Sequence, residues 1–235
     1  MIGHPNLEHV PEGILFDIDG TLFDTLPDLL SLTNRILSEL GFEGHTRESL
    51  HPLMGMNPKY RLIHLALPDS ATQEDKDRSL ELWERWFPEH QHEAKPFAGI
   101  PEALSALTAS GTILGVVSNK RQDAIESLVD RCFPNLMRVI VGRREHVPIK
   151  PDPAMLQIAC AEVGINPTHC IYVGDTASDM TAAHRAGLTA IAATWGFQDP
   201  VTFCGDAAPD LIVDTPAALQ ALLGVDTTPV PLLHV

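Results

Sequence analysis

Short apolar runs that stop abruptly recur along this chain, separated by segments with helical spacing, and that alternation leaves few folds open. Ile14–Phe16 ends in Asp17-Ile18-Asp19-Gly20, Ile113–Val117 at Ser118, Val139–Val141 at Gly142, and Ile171–Val173 at Gly174-Asp175. Ala190–Ala193 and Leu211–Val213 are later members of the set. Runs this short and this apolar suit strands buried on both faces. Between them, Pro101–Ala109, Asp123–Val129, Pro153–Val163 and Asp179–Ala186 read as helices. The pattern predicts an α/β fold, a doubly wound parallel sheet whose ligands sit beyond the carboxyl ends of its strands.

Residues 26–92 break the pattern and contain no strand signal. Leu29, Leu32, Ile36, Leu37 and Leu40 mark one face of a helix that Gly41 stops, with Thr25 and Asp28 spaced for a capping box at its start. Further helices are expected at Arg47–Leu53, Pro58–Leu67 and Gln73–Phe87, and Leu82, Trp83, Trp86 and Phe87 form an apolar face on the last. Lys95–Gly99 reads as a linker returning to the alternating pattern. The expected organisation is therefore a core of residues 1–25 and 93–235 with a helical insertion at 26–92.

Composition narrows the partners. With 235 residues and 44% hydrophobic content, the chain can bury a substantial core. A formal charge of −15 argues against nucleic-acid backbones and anionic membrane surfaces. The N-terminus lacks the pattern of a signal peptide, and the cysteines Cys132, Cys160, Cys170 and Cys204 are scattered. They read as buried thiols of a reducing compartment, so a cytoplasmic monomer or homodimer is expected.

The predicted strand ends carry a set of polar residues: Asp17 and Asp19, then Ser118-Asn119-Lys120, Lys150 before Pro151-Asp152-Pro153, and Asp175 with Asp179. One Asp-Gly turn is unremarkable, but carboxylates, a hydroxyl and a lysine gathered at one edge of a sheet suggest a site. Asp179 also reads as an N-cap of the following helix, and Asp152 as a cap of the helix after Lys150. A signalling receiver domain gathers similar residues but is about half this length and lacks the insertion.

In order, Asp17-x-Asp19-Gly20-Thr21-Leu22, Ser118-Asn119-Lys120, Lys150-Pro151-Asp152-Pro153 and Gly174-Asp175-x-x-x-Asp179 resemble the haloacid dehalogenase-like hydrolase superfamily. Thr194-Trp195-Gly196-Phe197 and Pro209-Asp210 are similar to its phosphoglycolate phosphatase-like branch. The resemblance implies a Rossmann-like core with an inserted helical cap, and a phosphatase that passes through an aspartyl-phosphate. Asp17 would be the nucleophile, and Asp19 the acid toward the leaving oxygen and then the base toward water. Mg²⁺ would be held by Asp17, the Asp19 main-chain carbonyl, Asp175 and Asp179, the last directly or through water. Ser118 and Lys150 would meet the phosphate, assisted by Asn119 and neighbouring backbone N–H groups.

The cap should select the substrate, a small phosphorylated metabolite for which 2-phosphoglycolate is a candidate. Lys59 and Arg61 lie where a cap loop could offer them to a substrate carboxylate, although each also reads as a solvated helix cation. Asn57 stands where related loops carry a second glycine, which weakens the case for phosphoglycolate itself. His51, His90 and His92 are expected on the cap surface. Alternatives are a sugar phosphomutase of the same fold, a phosphonate hydrolase and a catalytically idle scaffold. Gly174 in place of a mutase's Glu, Asp19 in place of a phosphonate hydrolase's Ala, and the retained charged residues argue against each in turn.

Overall fold

A computed structural model describes residues 11–54, 59–87 and 94–224. Six strands form one all-parallel sheet in the order β5-β4-β1-β6-β7-β8. They are β1 (Gly13–Phe16), β4 (Ile113–Arg121), β5 (Val139–Arg143), β6 (Cys170–Gly174), β7 (Thr189–Ala193) and β8 (Leu211–Val213). The pair β2 (Phe23–Asp24) and β3 (Lys95–Pro96) stands apart.

Strand alternation sorts the core into two layers. Ile14 and Phe16 of β1, Ile171 and Val173 of β6, and Ile191 and Ala193 of β7 face one cluster. Helices α5 (Ile100–Ala109), α6 (Gln122–Cys132) and α9 (Pro216–Leu222) close that side. Leu15, Tyr172, Ala190 and Ala192 face the opposite cluster, closed by α7 (Ala154–Val163) and α8 (Ala177–Ala186). Because β1 lies between β4 and β6, all four of its residues are buried, so the chain leaves it at the centre of the sheet's carboxyl edge.

The insertion holds α1 (Leu26–Glu39), α2 (Arg47–Leu50), α3 (Lys59–Ala66) and α4 (Gln73–Trp86). Leu29, Leu32 and Ile36 of α1 pack with Leu50, Leu62, Ile63, Leu82 and Trp83 in a third cluster, which Phe197 of the core also joins. Trp83 stacks on Phe87, and the Arg35 guanidinium lies 4.0 Å over the Trp86 ring. The aromatic face of α4 is thus packing, as its spacing suggests.

Local expectations are corrected in several places. Thr25 has φ −97° and ψ 3°, not the extended backbone from which a cap hydroxyl reaches the third helical residue, so the capping box does not form. Asp28 instead accepts from the Ala94 N–H at 3.2 Å and holds the returning chain against the outgoing helix. The expected linker at Lys95-Pro96 is a strand paired antiparallel with Phe23-Asp24, so the two crossings are hydrogen-bonded to each other. Asp24 accepts from the Leu26 N–H and pairs with Arg47 at 2.8 Å. Strand β4 runs on through Ser118 to Arg121, with a register irregularity against β5. Among the cysteines, Cys160 and Cys170 are buried, but Cys132 is half-buried and Cys204 exposed.

Candidate active site

Asp17 is the first residue past β1, its N–H held by the Val173 carbonyl at 2.9 Å. The chain then turns tightly, with the Ile18 carbonyl accepting from the N–H groups of Thr21, Leu22 and Phe23. Gly20 makes the turn possible at φ +89°, and a Cβ there would lie 2.1 Å from Asp175 Oδ2. Both its conformation and its lack of a side chain are required.

Oxygens of Asp17, Asp175 and Asp179 all lie within 4.8 Å of one another, and all three residues are buried. Lys150, 4% exposed, reaches into this cluster. Its Nζ donates to Asp179 Oδ1 at 2.5 Å and to the Tyr172 hydroxyl at 2.6 Å, and stands 3.0 Å from Asp17 Oδ1. The contact to Asp17 is an ion pair without hydrogen-bond direction, so Asp17 Oδ1 is buried with no donor among the described residues. The Tyr172 hydroxyl donates in turn to the Val117 carbonyl at 2.7 Å.

These charges act on each other. Burial pushes the Asp17 carboxyl up to about 6, with Lys150 opposing and Asp179 and Asp19 adding to the rise. Asp175 is driven well above the carboxylate range by burial and then by Asp179 and Asp17, against the donors Phe197 N–H and Thr21 hydroxyl. Burial works against the charge on Lys150, but Asp17 and Asp179 more than offset it and hold the ammonium above its usual range. One lysine facing three carboxylates leaves negative charge uncompensated. The residues therefore fit a divalent cation bound by oxygen, and the donor-free Asp17 Oδ1 is an atom it would satisfy.

Asp179 sits at the third position of α8, not at its N-cap, which is Thr176. Its Oδ2 accepts from the Thr176 N–H and hydroxyl at 3.0 and 2.6 Å, leaving Oδ1 to Lys150. It is at once a capping-box residue and a member of the cluster. The N-cap of α7 is Pro153 rather than Asp152, which precedes it and accepts from the Ala154 N–H at 2.9 Å in a local turn.

Ser118 is buried beside Asp17, and its hydroxyl helps to hold that carboxyl down. The Asn119 side chain does something the sequence did not suggest. It donates to the Lys150 carbonyl at 3.0 Å and accepts from the Lys150 N–H at 2.9 Å, which clamps the lysine's main chain to the end of β4. The Lys150–Pro151 bond beside it is cis. Lys120, a minor member of its motif by sequence reading, lies 3.0 Å from Asp19 Oδ1 with its side chain 5% exposed. Thr21 belongs to the first motif without a role being read from it, Tyr172 has no sequence signal of its own, and Thr194-Trp195-Gly196-Phe197 is the one pointer to Phe197. The backbone of α3 begins at Lys59, but the side chains of Lys59 and Arg61 lie outside the described residues, as do Asn57, His90 and His92. His51 is half-buried against the Phe197 ring. No described helix is long and apolar enough to cross a membrane.

Comparison with known proteins agrees with this geometry. A family model described as haloacid dehalogenase-like hydrolase matches residues 14–193. A phosphoglycolate phosphatase of Xylella fastidiosa (strain 9a5c) is 30% identical over 210 residues, covering 87% of this chain and 91% of that protein. An N-acetylmuramic acid 6-phosphate phosphatase of Pseudomonas aeruginosa is 28% identical over 213 residues, covering 90% and 94%. A solved structure from Lactobacillus delbrueckii subsp. bulgaricus, provisionally named a phosphoglycolate phosphatase, superposes with a TM-score of 0.78 at 28% identity, covering 92% of this chain and 100% of that one.

Proposed function

The chain belongs to the haloacid dehalogenase-like hydrolases and is a phosphatase of that family, and on that premise we propose that it hydrolyses a small phosphomonoester through an aspartyl-phosphate on Asp17. The observation that carries this reading is the buried cluster of Asp17, Asp175 and Asp179 with Lys150 between Asp17 and Asp179. That arrangement is costly for folding and is suited to a cation and a phosphate dianion. Asp17, Asp175, Asp179 and the Asp19 main-chain carbonyl would hold Mg²⁺, which supplies positive charge where phosphate meets carboxylate.

In the first step an Asp17 oxygen bonds to phosphorus as the ester P–O bond breaks, and Asp19 passes its proton to the leaving oxygen. In the second, Asp19 takes a proton from the water that attacks phosphorus, releasing inorganic phosphate and restoring the Asp17 carboxylate. Lys120, 3.0 Å from Asp19 Oδ1, holds that side chain in place for both proton transfers. Ser118 and Lys150 steady the phosphoryl oxygens, and Asn119 fixes Lys150 through its main chain.

The helical insertion acts as the cap, with residues 1–25 and 93–235 as the core. The relatives are named for phosphoglycolate and for N-acetylmuramic acid 6-phosphate, both organic acids. The substrate proposed here is accordingly a phosphomonoester that bears a carboxylate, with 2-phosphoglycolate first to be tried and Lys59 and Arg61 as the cations to receive it. A mutase reading is disfavoured at Gly174, where an added Cβ would lie 2.5 Å from Asp179 Cβ.

The test is phosphate release from a panel of phosphorylated acids and sugars, with Mg²⁺ or EDTA, by wild type and Asp17→Asn. Turnover that requires Mg²⁺ and falls by roughly four orders of magnitude or more in Asp17→Asn is expected. Undiminished turnover by Asp17→Asn would overturn the nucleophile assignment.

A further inference from the structure

The loop after β7 touches Asp175, the Gly20–Thr21 turn and the start of α8. Gly196 passes so close to Asp175 that an added Cβ would lie 2.3 Å from Asp175 Cβ and 2.5 Å from the Gly20 carbonyl oxygen. The Trp195 indole N–H donates to the Thr21 carbonyl at 3.0 Å, and Gln198 Oε1 accepts from the Ala177 N–H at the start of α8. Phe197 differs from these neighbours because its two ends serve two different bodies. Its N–H donates to Asp175 Oδ2 at 2.8 Å. Its ring, only 6% exposed, belongs to the apolar cluster of the insertion, with Leu26, Leu29 and Leu32 of α1. His51 of the insertion meets it edge-on at 6.1 Å between centroids, and Phe97 on the return strand's exit lies at 6.5 Å.

We propose that Phe197 is a positioning residue that couples the seating of the helical insertion on the core to the orientation of the Asp175 carboxylate. The inference rests on the reading of Asp175 as a cation ligand. Each Asp175 oxygen has one described neutral donor, the Thr21 hydroxyl on Oδ1 at 3.2 Å and the Phe197 N–H on Oδ2. The Thr21 donor is built into the tight turn of the core. A main-chain donor, by contrast, points where its loop backbone points; Trp195 ties that loop to the core, while the side chain of the donor residue itself is a ring held by the insertion. If the insertion swings away, the ring must either follow it or lose its apolar surroundings, and either change turns the N–H. The coupling is reciprocal: an insertion seated for substrate holds Asp175 ready for the cation, and a bound cation favours the seated insertion.

The experiment is calorimetric titration of Mg²⁺ into the full-length wild type, Phe197→Ala, Phe197→Leu, His51→Ala and Asp175→Asn, without substrate. Phe197→Ala should weaken Mg²⁺ binding by roughly three- to thirtyfold. Phe197→Leu should restore most of it, and His51→Ala, which changes only the insertion side, should shift it in the same direction by less. Mg²⁺ should also slow proteolytic cleavage of the insertion in wild type more than in Phe197→Ala. Unchanged Mg²⁺ affinity in Phe197→Ala and His51→Ala, even with a lowered melting temperature, would reduce Phe197 to packing and overturn the coupling. Should Phe197→Ala not fold, Phe197→Leu and His51→Ala decide alone: wild-type affinity in both overturns it. Wild-type affinity in Asp175→Asn would instead overturn the ligand assignment beneath it.

Discussion

The ammonium of Lys150 and the carboxylate of Asp179 meet at 2.5 Å with side chains 2% and 0% exposed. A pair sealed this far from water gains little from replacement of one member alone, because the survivor is left buried and charged. Lys150→Met should cost about 3–5 kcal/mol of folding stability, and Asp179→Asn a similar amount. The double variant should cost clearly less than their sum, as residues in one network are non-additive. Chemical denaturation of the singles and the double measures this, and additive losses would show that the pair is not a unit.

The burial of Asp17 has a pH signature opposite to that of an ordinary surface carboxylate. Its folded value of about 6 lies above the ordinary 3.8, so across that window the folded protein keeps a proton that the unfolded chain has released. Stability therefore falls as pH rises through the window and levels off about one unit above pH 6, once the folded group has also lost its proton. In EDTA, the stability of wild type relative to Asp17→Asn should decline from pH 4 to about 7 and then level off. A difference that stays flat or rises would contradict the burial argument. Mg²⁺ should stabilise wild type more at pH 7.5 than at pH 5, because protonated carboxylates bind it poorly.

Lys120 holds Asp19 at 3.0 Å across 101 residues of sequence. Lys120→Met should lower kcat by about two orders of magnitude, the lower range of a misplaced acid–base group. KM should change much less, since Lys120 faces Asp19, and Lys120→Arg should recover part of the loss. Steady-state kinetics with a kcat equal to wild type in Lys120→Met would remove Lys120 from the mechanism.

Gly196 is constrained by space. Its added Cβ would press on the Gly20 carbonyl as well as on Asp175, and main chain cannot turn aside as a side chain can. Gly196→Ala should lose about 1–3 kcal/mol of stability, as overpacked interiors do, and should need more Mg²⁺ for half-maximal activity. Thermal melts and a Mg²⁺ titration of activity test both, and wild-type behaviour in each would mean the loop yields freely.

Much of this was legible from local pattern. Continuous apolar runs announce buried parallel strands because both faces of each strand must leave water, and Asp17 and Asp175 could be placed because a strand's end is marked where its apolar run stops. Helix spans in the insertion followed from periodicity for the same reason, and Gln73–Trp86 lies within one residue of its expected end. The failures are cases where a distant group outcompeted a local one. Thr25 and Asp28 have the spacing of a cap, yet Asp28 turned to an N–H that lies 66 residues away. Asn119, expected to assist at the phosphate, also turns its side chain to clamp a lysine 31 residues away, which no local pattern announces.

The sequence by itself therefore determined the layered α/β fold and the identity of the charged residues at the sheet's edge, since burial periodicity and turn chemistry act over a few neighbours. Only the tertiary structure decided how those charges are held: Lys120 on Asp19, Asn119 on Lys150, and Phe197 between Asp175 and the insertion. Those pairings depend on which long-separated groups are enclosed together away from water, where hydrogen bonds and charge interactions are strong enough to override local preference.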